Sequence, residues 1–290
     1  MDFLSLLRAR AAAVAAAALL GLGGLPLAVQ AQTAAPACPP PAPTLNAEAI
    51  AQAQRDVRDR GLLWRAEKDG RTSWLYGTLH LSRLEWLVAG PQLQRAFRAS
   101  EVLALELNPL DAESLKALTD PADPALVQRL LTEPRRSRLA RAVERACVPP
   151  QAFDNLRPAL RVSALTALMG RHIGLHPEFA VDTVLAAGAQ RQKKPIVALE
   201  TAAQQLQLLA GRNEAEEGTL VDGALDELES GAVPAMLTTL SQAWADGDEH
   251  KLATYPDWCQ CIKTDADRQQ MQRLLDDRNG PMADKVAALH

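Results

Sequence analysis

Apolar positions change their spacing several times along the chain, and each change marks an element. The first apolar run is nearly continuous. It extends from Ala11 to about Leu27, follows Arg8 and Arg10, and ends at Val29-Gln30-Ala31, a small-x-small site. This is the pattern of a cleavable secretory signal over residues 1–31. A spanning helix needs roughly 20 continuous apolar residues, and Gly21, Gly23, Gly24 and Pro26 interrupt this run. Cys38 lies well past the run, which argues against a lipid-anchored form. The pattern predicts a periplasmic or secreted protein with no stable membrane span after signal cleavage.

Residues 32–59 are an Ala/Pro-rich linker, with Cys38-Pro39-Pro40-Pro41, followed by a lead-in helix. Residues 60–290 are long enough for a sizeable core. Two short apolar segments, 61–67 and 72–78, flank the turn signal Lys68-Asp69-Gly70-Arg71 and predict a hairpin. Leu87 to Ala99 has helical spacing, with Pro91 near its start. Glu101–Leu107 is apolar on both faces, as a central parallel strand would be. A helical insertion covers about 111–190, with helices at 112–118, 124–131, 136–147, 151–169 and 179–190. A second buried strand, 196–200, precedes helices at 201–210, 214–229, 233–246, 265–275 and 282–289. The predicted class is helix-dominated α/β (α+β), with a central mixed sheet and a large helical insertion.

Charge and composition exclude one broad class. The net charge is −4, Lys and Arg are scattered, and aromatics are only 4%. Neither a basic stripe nor a stacking platform for bases is present, so a nucleic-acid partner is not expected. Four cysteines, Cys38, Cys147, Cys259 and Cys261, fit an oxidising compartment. Direct closure of Cys259-x-Cys261 would be strained, so a long-range bridge is expected, such as Cys147 to one of that pair. A metal site at Cys-x-Cys has no evident partners nearby.

Three segments deliver a polar residue at or just past the end of an apolar strand: His80, Glu106 and Glu200. Gly77 would allow close approach beside His80. If the strands are parallel, these groups converge at one rim, and histidine with carboxylates can form a shell for a divalent metal. The alternative is that each glutamate caps the helix that follows. His172 and His176 lie at a helix end, and His250 reads as a solvated loop residue. No nucleophile elbow, phosphate-cradling glycine loop or His-Glu-x-x-His occurs.

Gly77-Thr78-Leu79-His80, Leu105-Glu106-Leu107, Ala198-Leu199-Glu200-Thr201 with Gln204, and Asp277-Arg278-Asn279 follow one another in the order of the TraB/GumN family. The chain resembles that family over about residues 60–290. The family is similar to the Tiki metalloproteases and, more distantly, to erythromycin esterase-like proteins. Trp258-Cys259-Gln260-Cys261 also resembles its exported members. The resemblance implies that His80 is a metal ligand or catalytic histidine, with Glu106 as ligand or general base. It further implies that Glu200 completes the rim and that Arg278 stabilises negative charge or holds a carboxylate. Asp182 matches a family position with no assigned role. The implied cofactor is a divalent ion: zinc, manganese or cobalt.

One departure stands out. The family pattern has a second Gly-x-x-His on a strand near its C-terminus. Here Ala287-Ala288-Leu289 before His290 look helical, so that strand is expected to be missing. Two functions remain in view. One is a metal-dependent, peptidase-like hydrolase in which Glu106 or Glu200 takes a proton from water and Arg278 meets the oxyanion. The other is a non-catalytic binding protein for a peptide or cell-envelope ligand, with a link to surface polysaccharide resting on family association.

Overall fold

The computed structural model describes residues 38–290; the signal segment 1–31 lies outside the described residues. The chain enters along the Pro-rich arm into helix α1 (Ala47–Arg55), capped where the Ala49 N–H donates to Asn46 Oδ1 at 2.8 Å. Ala53 of α1 packs on Leu84 and Phe179. Strands β1 (Leu63–Lys68) and β2 (Arg71–Tyr76) form the expected antiparallel hairpin, pairing Leu63 with Tyr76 and Lys68 with Arg71. Its turn places Asp69 and Gly70 at φ 50° and 77°, the pair of left-handed residues that a tight hairpin favours.

Helix α2 (Pro91–Ala99) starts at its proline rather than at Leu87, because proline suits the first helical turn. Strand β3 (Leu103–Leu105) follows. The helical insertion is α3 (Ala112–Thr119), α4 (Pro124–Leu130), α5 (Glu133–Ala146), α6 (Pro158–Leu168) and α7 (Val181–Arg191). The helix expected over 151–169 begins only at Pro158. Arg157 precedes that proline with φ −59° and ψ 149°, since proline drives its predecessor out of the helical region. Strand β4 (Ile196–Ala198) then pairs parallel with β3, Leu103 opposite Ile196 and Leu105 opposite Ala198.

Seven helices complete the described chain: α8 (Ala202–Ala210), α9 (Glu214–Ser230), α10 (Val233–Asp246), α11 (Glu249–Ala253), α12 (Tyr255–Trp258), α13 (Asp265–Met271) and α14 (Asn279–Leu289). A π-turn, Gln272–Asp276, joins the last two. His250 therefore sits in a short helix rather than a loop. The fold is the expected helix-dominated α+β. Antiparallel and parallel pairing both occur, but among the described residues they form two separate two-stranded ladders instead of one mixed sheet. No helix of the described residues is long and apolar enough to cross a membrane.

The core lies among the helices. Leu165, Leu168 and Met169 meet Ala142, Ala146, Leu228 and Val233, while Val221 and Leu225 of α9 meet Ala159 and Val162 of α6. Glu217 is fully buried, receives Arg157, and accepts the Ala159 N–H at 3.3 Å. It thus brings negative charge to the N-terminus of α6, where the helix dipole favours it. A second cluster is built on Trp244, whose Nε1 donates to Gly77 O at 2.7 Å. Gly61, at φ +74°, donates to Trp244 O at 3.0 Å, and a Cβ there would stand 2.9 Å from the Trp244 and Tyr76 rings. The hairpin is thereby fastened to α10.

The cysteine pairing corrects the expectation. Cys147 joins Cys38, with Cα atoms 5.6 Å apart, and Cys259 joins Cys261, with Cα atoms 5.1 Å apart. Cys147 ends α5 in a left-handed turn (φ 52°), and the N-terminal arm reaches it there. The chain after α12 doubles back, which brings Cys259 and Cys261 within ordinary bridging range. Loss of the long bridge should be costly. Cys38→Ser should lower unfolding stability by about 2–5 kcal/mol, measured by denaturant titration without reductant; an unchanged midpoint would mean that the arm is not held.

Candidate active site

Parallel pairing brings the two glutamates side by side. Beyond the β3–β4 ladder, the Leu199 N–H donates to Leu105 O at 2.7 Å and the Glu200 N–H to Glu106 O at 2.9 Å. Neither glutamate is a helix cap. Asp111 caps α3 and Thr201 caps α8, the latter in a reciprocal box with Gln204. The carboxylates are thus left free to face the same rim.

Arg278 spans both. Its Nε donates to Glu200 Oε1 at 2.8 Å, and its Nη2 donates to Glu106 Oε2 at 2.6 Å and to Glu200 Oε2. Nη1 donates to Leu274 O at 3.0 Å. Four bonds occupy a group with about five N–H donors, so one remains for a ligand. Gln205 Nε2 also donates to both carboxylates, at 3.1 Å to Glu106 and 3.2 Å to Glu200. Lys285 Nζ donates to Leu199 O at 2.6 Å, bringing α14 to the same edge.

Burial grades this cluster. The side chains of Glu200 and Arg278 are 8% and 15% exposed, and that of Glu106 is 43% exposed. Burial pushes the Glu200 carboxyl up, but hydrogen bonds from Arg278 and Gln205 outweigh it, and its pKa lies below the usual 4.5. The Arg278 guanidinium is held firmly protonated, chiefly by its bond to Glu200.

His80 comes from the loop after β2, not from a third parallel strand. That loop is strapped to the segment before α7. Ser82 and His176 exchange backbone bonds of 2.8 and 3.1 Å, and the Val181 N–H donates to Leu79 O at 2.8 Å. The strap sets His80 Nδ1 3.4 Å from Asp182 Oδ2, at the first turn of α7. The bond to Asp182 raises the His80 pKa above 6.5 against the effect of burial, aided by the charge of Glu106 and opposed by Arg278. The imidazole is 74% exposed. Burial pushes the Asp182 carboxyl up, yet its bond to His80 leaves it below the usual value. Asp182 Oδ1 is buried without a hydrogen-bond partner among the described residues.

Of the residues expected at the rim, Glu106, Glu200 and Arg278 meet directly, whereas His80 contacts Asp182 and senses Glu106 and Arg278 only through charge. Gln205 was not anticipated. Gln204 matched the family motif, but it is spent on the helix cap, and only the next residue faces the strand ends. Gly77 does not serve close packing, since a Cβ there would meet nothing within 4 Å; its carbonyl holds Trp244 instead. His176 is a buried core group, packed edge-on against Phe179. His290 contacts the hairpin at Ser73 Oγ, 2.6 Å, and Lys68 O, 3.2 Å.

A divalent ion does not fit these side chains as they stand. Glu106 and Glu200 both turn oxygens to a guanidinium, and among the described residues no three His, Cys, Asp or Glu side chains form a ligand set.

Residues 62–290 match the family model of the TraB/PrgY/gumN family, and the chain belongs to that family. No curated protein and no solved structure matches the chain.

Breaking the clamp should unfold the rim. Arg278→Ala should cost about 3 kcal/mol, because Glu200 is left buried without its cation, and Arg278→Lys should restore only part, lacking the fork. The Glu200 pKa is depressed, so its share of stability is present above the ordinary glutamate value and lost as pH falls through the folded value. Denaturant midpoints across pH 2–7 should therefore separate wild type from Glu200→Gln most fully above the ordinary glutamate value of 4.5, with the gap closing as pH falls below it; parallel profiles would show that the clamp carries no net stability.

Proposed function

We propose that this member of the TraB/PrgY/gumN family is an exported hydrolase of peptide-like amide bonds, with its acid–base centre at His80. The observation that carries the proposal is the His80–Asp182 pair: Nδ1 faces a carboxylate, and the exposed Nε2 has no hydrogen-bond partner among the described residues. Export is supported by the two disulfides, which suit an oxidising compartment.

The chemistry follows from the arrangement. A water beside Nε2 gives its proton to His80 as its oxygen adds to the amide carbon. Asp182 stabilises the imidazolium that forms and fixes the ring tautomer. His80 then returns the proton to the departing nitrogen. Arg278 offers its remaining N–H to the oxyanion, while Gln205 and the two glutamates fix its plane. Glu106, the more exposed carboxylate, has one oxygen without a hydrogen-bond partner among the described residues and can orient the water or a substrate N–H. The zinc, manganese or cobalt ion implied by the resemblance has no ligand set in this arrangement, and no step is assigned to it.

A second function, binding of a peptide or envelope polymer without turnover, draws on one observation: Glu106 and Glu200 are already satisfied by Arg278. Kinetics separate the two. His80→Ala should reduce peptide hydrolysis by about 10²–10⁴-fold with the thermal midpoint nearly unchanged, and Asp182→Asn should reduce it less. Because the base must be neutral and its pKa is raised, the rate should climb with pH through a midpoint above 6.5. Peptide binding without cleavage in the wild type would favour the second function, and turnover abolished by a chelator would overturn the metal-free mechanism.

A further inference from the structure

The two disulfides have different consequences for the chain. Cys38–Cys147 spans a sequence separation of 109, and closing a loop of that order stabilises by about 4.7 kcal/mol in the chain-entropy account. Cys259–Cys261 spans a separation of 2. Closing so short a loop removes little freedom from the unfolded chain. The backbone there is also held already, with the Cys259 N–H donating to Tyr255 O at 3.0 Å. Stapling the fold does not account for the second bond.

Its surroundings are those of a reactive disulfide. Cys259 is buried, whereas Cys261 is half-buried and reachable from solvent. The Tyr255 hydroxyl lies 3.1 Å from each sulfur, and the Cys261 N–H donates to Cys259 Sγ at 3.3 Å. Burial pushes the Tyr255 pKa up to about 12, so the phenol keeps its proton. Trp258 meets the Tyr255 ring edge-on at 5.0 Å and is itself fixed by a bond from Nε1 to Lys251 O, 2.8 Å. Donors aimed at a sulfur stabilise its thiolate, and a thiol of lower pKa leaves faster in exchange.

We propose that Cys259–Cys261 is a thiol–disulfide exchange site that oxidises a pair of cysteine thiols on another polypeptide. A substrate thiolate attacks Cys261 Sγ and forms an intermolecular disulfide. The Cys259–Cys261 bond breaks, and its electron pair passes to Cys259 Sγ, where Tyr255 O–H and Cys261 N–H meet the charge. The second substrate thiol, having lost its proton to solvent, attacks the substrate sulfur of the mixed disulfide. Cys261 leaves as thiolate. The substrate dithiol has lost two electrons and two protons; Cys259 and Cys261 have gained two electrons and take up two protons from solvent. Because Cys259 is covered, the substrate thiols must sit on an extended segment that approaches from the Cys261 side.

The test uses the purified, oxidised full chain in glutathione buffers of graded poise, with a synthetic peptide dithiol as probe and alkylation mapped by mass spectrometry. Cys259–Cys261 should open at a poise where Cys38–Cys147 stays closed, with stoichiometric formation of the peptide disulfide. Tyr255→Phe should slow the first attack about tenfold. Cys259→Ser/Cys261→Ser, which leaves the Tyr255 packing in place, should abolish peptide oxidation with the thermal midpoint unchanged. The proposal is overturned if both disulfides open together, or if the double variant oxidises the peptide as fast as wild type.

Discussion

Two carboxylates on adjacent parallel strands repel one another unless a cation lies between them, and here that cation is a guanidinium from more than 70 residues downstream. Much of the architecture meets at this contact. The β3–β4 ladder is only three residues long on each side, too short to hold itself. Its extension through Glu106 and Glu200 is fastened by Arg278, by Gln205 from α8, and by Lys285 from α14. A planar fork suits this position, because one guanidinium can address two carboxylates at once. The clamp thus joins the strand pair, the helix after it and the C-terminal helices, and it fixes the rim beside which His80 stands.

The second element of the site is arranged independently. His80 owes its position to the backbone exchange between Ser82 and His176 and to the bond from Val181 to Leu79. These place the loop after the hairpin against the start of α7, so the imidazole meets Asp182. The hairpin is anchored through Trp244, which takes the Gly77 carbonyl and offers its own to Gly61. An exposed imidazole is therefore carried by a loop whose backbone is tied on both sides, a condition that favours defined geometry over mobility. The glutamate–arginine clamp and the histidine–aspartate pair influence each other through charge, since Glu106 raises and Arg278 lowers the affinity of His80 for its proton.

Much of this was legible along the chain because it depends on near neighbours. Asp69-Gly70 dictates a tight hairpin wherever the flanking segments lie. Pro124 starts its helix where the spacing put it, whereas Pro91 and Pro158 moved two starts later than the expected Leu87 and Gln151. The apolar runs ending at Glu106 and Glu200 already placed a carboxylate at each strand end, and helical spacing outlined the insertion between them. The segment before His80 already offered the imidazole, the resemblance to the TraB/GumN pattern added Arg278, and the tertiary structure joins Arg278 to both glutamates.

Other features depend on distance in space and have no local signature. Whether Glu106 and Glu200 cap helices or face a cation was undecided until Asp111 and Thr201 took the caps and Arg278 arrived. Gln205 and Gln204 are indistinguishable as neighbours in sequence; helix phase alone sends one to the rim and the other to the cap. The expected bridge from Cys147 to Cys259 or Cys261 was wrong for the same reason, because four cysteines carry no record of which partner the folded backbone will bring within reach. Sequence by itself determined the elements, their order and the residue types available for chemistry, since these follow from local backbone preferences and spacing. Only the tertiary structure decided which charges meet and which sulfurs join, since those pairings are set by long-range packing.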